Sequence, residues 1–175
     1  MSDAVLLRRA TVVDAAKLAQ FAERCFCETF GPDNRAEDME RYVAATFGTE
    51  HQRADISDPA AVVFIAELNA TVVGYAHLRR GAAPDGIATL SPIELKRFYI
   101  TGALHGQGLA QRLMRCALDY AIECGADVIW LAVWEHNPRA RSFYRKSGFV
   151  ESGTQSFLLG DDDQTDIVMF RAVGD

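Results

Sequence analysis

Hydrophobic positions recur with two different periods along the 175-residue chain, and each change of period marks a change of secondary structure. Apolar side chains at three- and four-residue spacing predict amphipathic helices over residues 14–30, 35–47, 106–124 and 138–147. Runs rich in β-branched and aromatic residues predict strands over residues 5–10, 60–68, 71–79, 93–101 and 128–134, with two more bracketing residues 160–163. Interleaved strands and helices of this kind indicate a mixed sheet with helices on both faces.

Short turns, rather than long linkers, separate these elements. Thr11 followed three residues later by Asp14 predicts a capped helix start, and Gly125 predicts a helix end. Asn69-Ala70 lies between two strand-like runs and predicts a hairpin. No repeat, low-complexity stretch or linker divides the chain, so we expect one domain over residues 1–175.

Composition places the chain among folded globular proteins, with 49% hydrophobic and 24% charged residues. The longest apolar run has seven residues, far fewer than the roughly 20 that a membrane-spanning helix needs. The start, Met1-Ser2-Asp3, lacks the basic and then apolar order of a signal peptide, so we expect a cytoplasmic protein without a membrane partner. A net charge of −6 disfavours nucleic acid as the main partner and suits a cationic substrate.

Four cysteines occur, at positions 25, 27, 116 and 124, and none of them forms a C-x-x-C pair. None lies at zinc-ligand spacing from a histidine either. We therefore expect reduced thiols and no metal cofactor. The sequence also lacks the G-x-S-x-G motif of serine hydrolases, although spacing alone leaves Ser-His-Asp chemistry open.

A glycine-containing segment, I-T-G-A-L-H-G-Q-G-L-A at residues 100–110, leads from a predicted strand into a predicted helix. Gly106 and Gly108 leave room for the backbone to approach a ligand, and the first amides of a helix attract anions. The segment therefore suits a pyrophosphate, although glycines that serve only a turn fit the same pattern. It lacks the G-K-[S/T] of a P-loop, and Ala110 comes one position too early for a dinucleotide-binding G-x-G-x-x-G.

A second motif follows at residues 137–149, N-P-R-A-R-S-F-Y-R-K-S-G-F. The order strand, G-x-G-x-A, long helix, strand and N-x-x-A-x-x-F-Y-x-x-x-G-F resembles the GCN5-related N-acetyltransferase (GNAT) superfamily. The two motifs cover residues 93–150, and the order of elements extends the resemblance along the chain. The resemblance implies an α/β (α+β) GNAT fold, with a mixed, mostly antiparallel sheet of about seven strands, helices on both faces and a splayed acetyl-CoA cleft. One departure is Ala103, where the family often has Gln or Arg.

Further stretches resemble the bacterial PaiA-type spermidine/spermine N-acetyltransferases. They are residues 26–42, with the elements E-T-F, Asn34 and E-D-M-x-x-Y, and the tail S-F-L-L-G-D-D-D-Q-T-D at residues 156–166. The segment V-W-E at residues 133–135, followed by Asn137, belongs to the same resemblance. It implies transfer of an acetyl group from acetyl-CoA, as co-substrate, to a small primary amine, with polyamines such as spermidine or spermine as the first candidates.

The GNAT resemblance also implies where acetyl-CoA binds. The end of a strand offers backbone groups to the pantetheine arm, the glycine loop holds the diphosphate, and Asn137 caps the following helix. The expected cofactor-binding residues are Phe98, Tyr99, Ile100, His105, Gly106, Gln107, Gly108, Leu109, Ala110, Asn137, Arg139, Ala140, Phe143 and Lys146.

Amine acetylation needs a base that deprotonates the ammonium and an acid that protonates the leaving thiolate. The expected acid is Tyr144, because a phenol with an ordinary pKa of about 10 stays protonated at neutral pH. A structural ring beside Phe143 is the alternative. The expected base is Glu94, acting directly or through water, unless it is only a solvated carboxylate of the sheet. The expected substrate-binding residues, for which ordinary packing is the alternative, are Glu28, Phe30, Asn34, Trp134 and Glu135.

Two other functions stay open from the sequence. A wide cleft without acidic groups would favour acetylation of a protein or peptide amine. A loss of affinity or turnover associated with Ala103 would favour a non-catalytic acyl-CoA-binding regulatory module. A homodimer is an expectation from the family alone.

Overall fold

The computed structural model describes residues 4–174. Within them are five α-helices: α1 Ala15–Phe30, α2 Ala36–Thr46, α3 Thr49–Ser57, α4 Leu109–Glu123 and α5 Pro138–Lys146. The same residues contain seven strands: β1 Leu6–Arg9, β2 Ala61–Leu68, β3 Thr71–Arg80, β4 Pro92–Ile100, β5 Val128–Trp134, β6 Val150–Leu159 and β7 Asp162–Ala172. Short 3-10 turns lie at Val12–Asp14, Gly31–Asp33 and Gly102–Leu104.

The strands form one sheet in the order β1-β2-β3-β4-β5-β7-β6. The β4–β5 pair is parallel, and the other neighbouring pairs of the described chain are antiparallel. Helix α4 provides the crossover that two parallel strands need. The predicted fold class, a mixed and mostly antiparallel seven-stranded sheet, is confirmed.

Helices cover both faces of this sheet. One face carries α4 and α5, and there Leu113 of α4 packs in a core with Ile93 and Ile129 of the strands. The other face carries α1, α2 and α3, where the Phe21 ring meets the Tyr75 ring edge-on at 6.0 Å. No helix in residues 4–174 has the length and apolar character that crossing a membrane requires.

A β-bulge interrupts β4. His77 of β3 pairs with Arg97, and the next residue, Leu78, pairs with Leu95, so Lys96 is an extra residue on β4. A bulge shifts the alternation of side chains along its strand. After Lys96, the residues of β4 that face each side of the sheet are therefore shifted by one position relative to those before it.

The parallel pairing of β4 with β5 is short. It runs from Pro92 opposite Val128 to Glu94 opposite Trp130. Both strands continue beyond these positions, but no further pairing joins them in the described chain. Their carboxyl-terminal halves therefore separate, and the sheet is split at its centre.

The structure corrects three predictions. Helix α3 was not predicted, because its segment is mostly polar and buries only Gln52. Helix α4 begins at Leu109 rather than at residue 106. Gly106 and Gly108 have φ values of +75° and +81°, which lie outside the range of a right-handed helix. The turn predicted over residues 160–163 is shorter, because β7 begins at Asp162. The other predicted elements are confirmed to within one residue at each end.

A buried carboxylate fixes the start of α1. Asp14 is 3% exposed, and it accepts a hydrogen bond from the Thr11 amide at 2.8 Å. The Arg8 guanidinium donates to Asp14 at 2.8 Å and also reaches Glu67 of β2. These contacts, above all the one from Arg8, hold the pKa of Asp14 well below its usual range. The cap predicted at Thr11 and Asp14 is confirmed, and it ties α1 to the sheet.

A close contact joins α2 to the turn between β6 and β7. Gly160 in this turn has a φ of +61°, and a Cβ built on it would lie 2.6 Å from the Asp38 Cα. The buried Asp38 carboxylate accepts a hydrogen bond from the Asp161 amide at 3.0 Å. We call this the Gly160–Asp38 contact. It holds the β6–β7 hairpin against α2.

Gly160→Ala is expected to lower the free energy of unfolding by about 3 kcal/mol, since it adds left-handed strain to a backbone clash. Urea unfolding measures the change. Gly153→Ala is the matched control, because Gly153 lies in β6 with nothing within 4 Å of its Cβ position and without a positive φ. Equal stabilities for the two variants would contradict the role assigned to the contact.

Candidate active site

A cavity of about 750 Å³ lies where β4 and β5 separate. It passes through the sheet, so elements from both faces line it. On the α4–α5 side the wall is formed by the residues that follow β4, the start of α4 and α5, including Gly102, Leu104, His105, Gly106, Ala110, Gln111, Asn137, Arg139, Ala140, Phe143 and Tyr144. On the α1–α2 side it is formed by helices α1 and α2, the turn after α1 and four strands, including Cys25, Glu28, Phe30, Asp33, Tyr42, Arg97, Tyr99, Trp134, Gln155, Phe157, Gln164 and Asp166.

The loop before α4 presents free amides. Arg112 N donates to Gly108 O at 3.2 Å, so the amides of Leu109, Ala110 and Gln111 precede the first helical hydrogen bond. Within residues 4–174 the amides of residues 106–108 have no backbone acceptor. A Cβ built on Gly106 or on Gly108 would meet nothing within 4 Å. The glycines thus provide both the backbone path and open space, which suits a diphosphate at a helix start.

His105 ties this loop to β4 and to α5. Its Nε2 lies 2.9 Å from the Ile100 carbonyl oxygen, and its Nδ1 lies 2.7 Å from an Arg139 guanidinium nitrogen. A neutral imidazole with its proton on Nε2 satisfies both contacts, since Arg139 can only donate. His105 therefore holds the Arg139 cation close to the glycine loop.

Asn137 caps α5. Its Oδ1 accepts a hydrogen bond from the Ala140 amide at 3.1 Å, and Pro138 occupies the first helical position. The cap orients the helix so that Ala140, Phe143 and Asn137 itself line the cavity. The capping role is thus visible in the structure, whereas a contact of Asn137 with pantetheine stays a prediction.

Tyr144 lies on the α4–α5 side of the cavity and is 8% exposed. Its ring lies edge-on to the Phe98 ring at 6.3 Å and to the Phe149 ring at 5.8 Å. Burial raises the pKa of the Tyr144 phenol above its ordinary value, and Tyr99 adds to the shift. The phenol is therefore protonated at neutral pH and is available as a hydrogen-bond donor.

Glu94 lines the cavity at the last residue pair that joins β4 to β5. It is half-buried, and burial raises the pKa of its carboxyl. Three cations, Lys96, Arg79 and Arg97, oppose this shift. Glu94 is thus a half-buried carboxylate with nearby cations, at the point where β4 and β5 separate.

Aromatic rings and acids line the α1–α2 side. The Trp134 ring at the end of β5 packs edge-on against Phe30 of α1 at 5.7 Å. Glu28 lies at the exposed rim, where it pairs with Arg24 at 4.0 Å. Asp166 of β7 lies deeper and is 8% exposed.

The acetyltransferase (GNAT) family matches residues 13–149 of this sequence. The chain belongs to this family. Proteins described as uncharacterized N-acetyltransferases are similar along most of the chain. One from Mycobacterium tuberculosis is 34% identical over 160 residues, covering 91% of this chain and 98% of the relative. One from Lactobacillus delbrueckii subsp. lactis is 29% identical over 160 residues, covering 91% and 92%.

Solved structures share the fold at low sequence identity. The PaiA N-acetyltransferase of Thermoplasma acidophilum, in complex with coenzyme A, has a TM-score of 0.74 and 18% identity, covering 97% of this chain and 99% of that one. A putative acetyltransferase of Salmonella typhimurium with its cofactor acetyl-CoA has a TM-score of 0.68 and 19% identity, covering 98% and 95%. The predictions of a GNAT enzyme, of N-acetyltransferase activity and of acetyl-CoA as co-substrate are confirmed at this level.

The GNAT cavity gathers most, but not all, of the predicted site residues. Tyr144, Glu94, Glu28, Phe30 and Trp134 line it. So do the expected cofactor residues Phe98, Tyr99, Ile100, His105, Gly106, Ala110, Asn137, Arg139, Ala140 and Phe143. Gln107, Gly108 and Leu109 lie behind this wall, in the loop and first turn that carry the free amides.

Three predicted residues point to other contacts. Lys146 is in the last turn of α5 and borders a separate hollow near Arg171. The Asn34 side chain donates to the Phe30 carbonyl oxygen at 2.7 Å and accepts from Gln164. Glu135 lies beside His136 at 3.7 Å. None of these three lines the cavity in the described chain, so their binding roles stay predictions.

Four charged wall residues of the described chain were not among the predicted site residues: Asp33, Lys96, Arg97 and Asp166. A signal for Asp166 was present, because it shares a strand face with the buried Val168 at a spacing of two residues. An acid on a buried strand face requires either a partner or a ligand. Arg97 had no such signal, because the bulge in β4 decides which face it takes.

Gly108→Val is expected to weaken coenzyme A binding at least tenfold while the protein stays folded, because a side chain there strains the loop and fills the space above its amides. Calorimetric titration with coenzyme A measures the affinity.

Gly125→Val is the matched control. Gly125 has a φ of +73° and nothing within 4 Å of its Cβ position, but it lies at the other end of α4. Its variant should bind coenzyme A normally. Wild-type affinity in Gly108→Val would place the diphosphate elsewhere.

Proposed function

We propose that this GNAT enzyme acetylates a small primary amine, and that polyamines such as spermidine and spermine are the first class to test. The observation that carries the proposal is the cavity through the split sheet. It has a cradle of free amides with Arg139 at one end and acids with aromatic rings at the other. An anionic donor and a cationic acceptor thus meet from opposite faces.

The donor side fits acetyl-CoA by its chemistry. The amides around Gly106 to Ala110 and the cation of Arg139 suit the diphosphate, and the separated edge of β4 leaves backbone groups for the pantetheine amides. When bound, acetyl-CoA supplies an activated acetyl group on sulfur. The groups proposed to transfer protons belong to the protein.

Tyr144 is proposed as the acid that protonates the leaving thiolate. It is buried, protonated at neutral pH and placed on the donor side of the cavity. Glu94 is the base proposed from the sequence, acting directly or through water. It faces the same cavity, and burial raises the pKa of its carboxyl, although Lys96, Arg79 and Arg97 oppose that shift.

The acceptor side supports a cationic substrate. Glu28 and Asp33 lie at its rim and Asp166 lies inside, next to the aromatic rings of Trp134 and Phe157. Ammonium groups bind to carboxylates and to the faces of aromatic rings. The sequence resemblance of residues 26–42 and 156–166 to PaiA-type spermidine/spermine N-acetyltransferases supports polyamines among such substrates.

One observation favours a second class, amines that also carry a carboxylate. The Arg97 guanidinium lines the acceptor side and is half-buried, 4.9 Å from the centre of the Phe47 ring. No acid in residues 4–174 forms a salt bridge with it. The Tyr42 side chain hydrogen-bonds to this guanidinium, and a substrate carboxylate would add an acid to it.

Thiol release from acetyl-CoA across matched amines separates these classes. If the acids of the rim bind the substrate, polyamines are expected to have the largest kcat/KM. If Arg97 binds a substrate carboxylate, the kcat/KM of lysine should exceed that of cadaverine, which differs from lysine only by lacking the carboxylate. Turnover with lysine peptides only would favour peptide acetylation, and binding of acetyl-CoA without turnover on any amine would favour a regulatory module.

Tyr144→Phe is expected to lower kcat about 100-fold, since it removes the proton donor, with an unchanged dissociation constant for coenzyme A. Tyr120→Phe is the control, because Tyr120 of α4 packs against Phe64 away from the cavity. An undiminished kcat in Tyr144→Phe would leave the thiolate without the proposed acid.

A further inference from the structure

Asp166 differs from the other buried acids of the described chain. Asp14 pairs with Arg8, and Asp38 accepts a hydrogen bond from the Asp161 amide. Asp166 is buried to a similar degree, with 8% of its surface exposed. Within residues 4–174, however, its carboxylate has no hydrogen-bond donor and no cation in ion-pair contact.

An unpaired buried carboxylate opposes folding, because desolvation of a charge is unfavourable unless a partner compensates it. The Asp166 side chain lines the cavity rather than the closed core, so a ligand can reach it. The missing partner is therefore expected to be a cationic ligand in the cavity.

The neighbours of Asp166 suit an ammonium. Its strand neighbours in register are Trp134 on β5 and Gln155 on β6, and both line the same cavity. The Trp134 ring offers an aromatic face, and Gln155 offers an amide oxygen.

Charged and titratable groups of the surrounding elements also line the cavity. They are Cys25 and Glu28 of α1, Asp33 of the following turn, Tyr42 of α2, Glu94, Lys96, Arg97 and Tyr99 of β4, and His136 after β5. Both charges act on Tyr99, since Asp166 raises its pKa and Arg97 lowers it, in addition to the larger effect of burial. Among the described residues, Asp166 and Arg97 form no ion pair with each other.

We propose that Asp166, rather than Glu94, binds the ammonium of the acceptor amine and accepts its proton. The proposal rests on the proposed function and names the residue that recognises its substrate. Asp166 lacks the cationic neighbours that surround Glu94, so its carboxylate is free for the substrate.

The proton balance is as follows. The amine enters as an ammonium, since its ordinary pKa is about 10.4. One N–H proton moves to an Asp166 oxygen, and the nitrogen lone pair forms the amide bond while the carbon–sulfur bond breaks. Tyr144 donates a proton to the sulfur, and the second N–H proton restores its phenol through solvent. Asp166 releases its proton to water, so each turnover yields an amide, a thiol and one proton.

The electrostatic setting supports this role. Burial raises the pKa of Asp166 to about 6. The carboxylate is therefore ionised at neutral pH, when it attracts the ammonium, and is a better proton acceptor than an ordinary aspartate.

Asp166→Asn is expected to raise KM for the amine at least tenfold and to lower kcat at least tenfold. The wild-type fall of kcat/KM below a pH of about 6 should disappear in it, because the titrating carboxyl is gone. Asp163→Asn is the matched control, since Asp163 lies on the same strand, is exposed and does not line the cavity. Its kinetics should equal those of the wild type.

Two measurements need no turnover. Cadaverine should bind the free wild-type protein and bind Asp166→Asn at least tenfold more weakly. In carbon NMR of the free protein, cadaverine should lower the pKa of the Asp166 carboxyl, since an ammonium favours its charged form. Asp166→Asn should also keep or raise the melting temperature near pH 7, because an unpaired buried charge is removed, and this shows that the variant folds.

The outcomes separate this proposal from the proposed function. If amines release thiol while Asp166→Asn keeps the wild-type KM and the fall of kcat/KM at acidic pH, Asp166 is not the proton acceptor. Loss of that fall in Glu94→Gln would assign the proton to Glu94. If no amine releases thiol, the proposed function fails, and cadaverine binding that depends on Asp166 still decides whether this carboxylate recognises an ammonium.

Discussion

The structure depends on the early loss of hydrogen bonding between β4 and β5. After Glu94 the two strands no longer pair, so the sheet has an internal edge that faces a cavity instead of a neighbouring strand. The antiparallel pairs on both sides, β3 with β4 and β5 with β7, continue along these separated halves. An opening through the sheet is therefore compatible with a continuous core, because helices α4 and α1 cover the two faces independently.

The opening also divides the electrostatics of the site. On one face, free amides and Arg139 provide positive charge, while on the other Glu28, Asp33 and Asp166 provide negative charge beside the Arg97 cation. Between them lie aromatic rings, which exclude water and shift the phenol of Tyr144 toward its neutral form. In the proposed function, an anionic donor and a cationic amine would enter from these opposite faces of the sheet.

The parts of the site that could be predicted are those with local chemical signals. The glycines of the loop and the cap at Asn137 are set by neighbouring residues, and the sequence alone located them. The acceptor wall depends instead on long-range pairing, which places Asp166 beside Trp134. The bulge at Lys96 has no sequence marker of its own, so the face taken by the following residues could be known only from the structure.

The Gly160–Asp38 contact has a consequence for how acceptor preference can diverge. The β6–β7 hairpin rests on α2 at a position without room for a methyl group, so a side chain larger than that of glycine there would push the hairpin away from α2. The hairpin carries Gln155, Phe157 and Asp166 to the acceptor wall, whereas the glycine loop is on the other face. A substitution that displaced the hairpin at this contact would therefore act on three lining residues of one side of the cavity at once, rather than on the glycine loop.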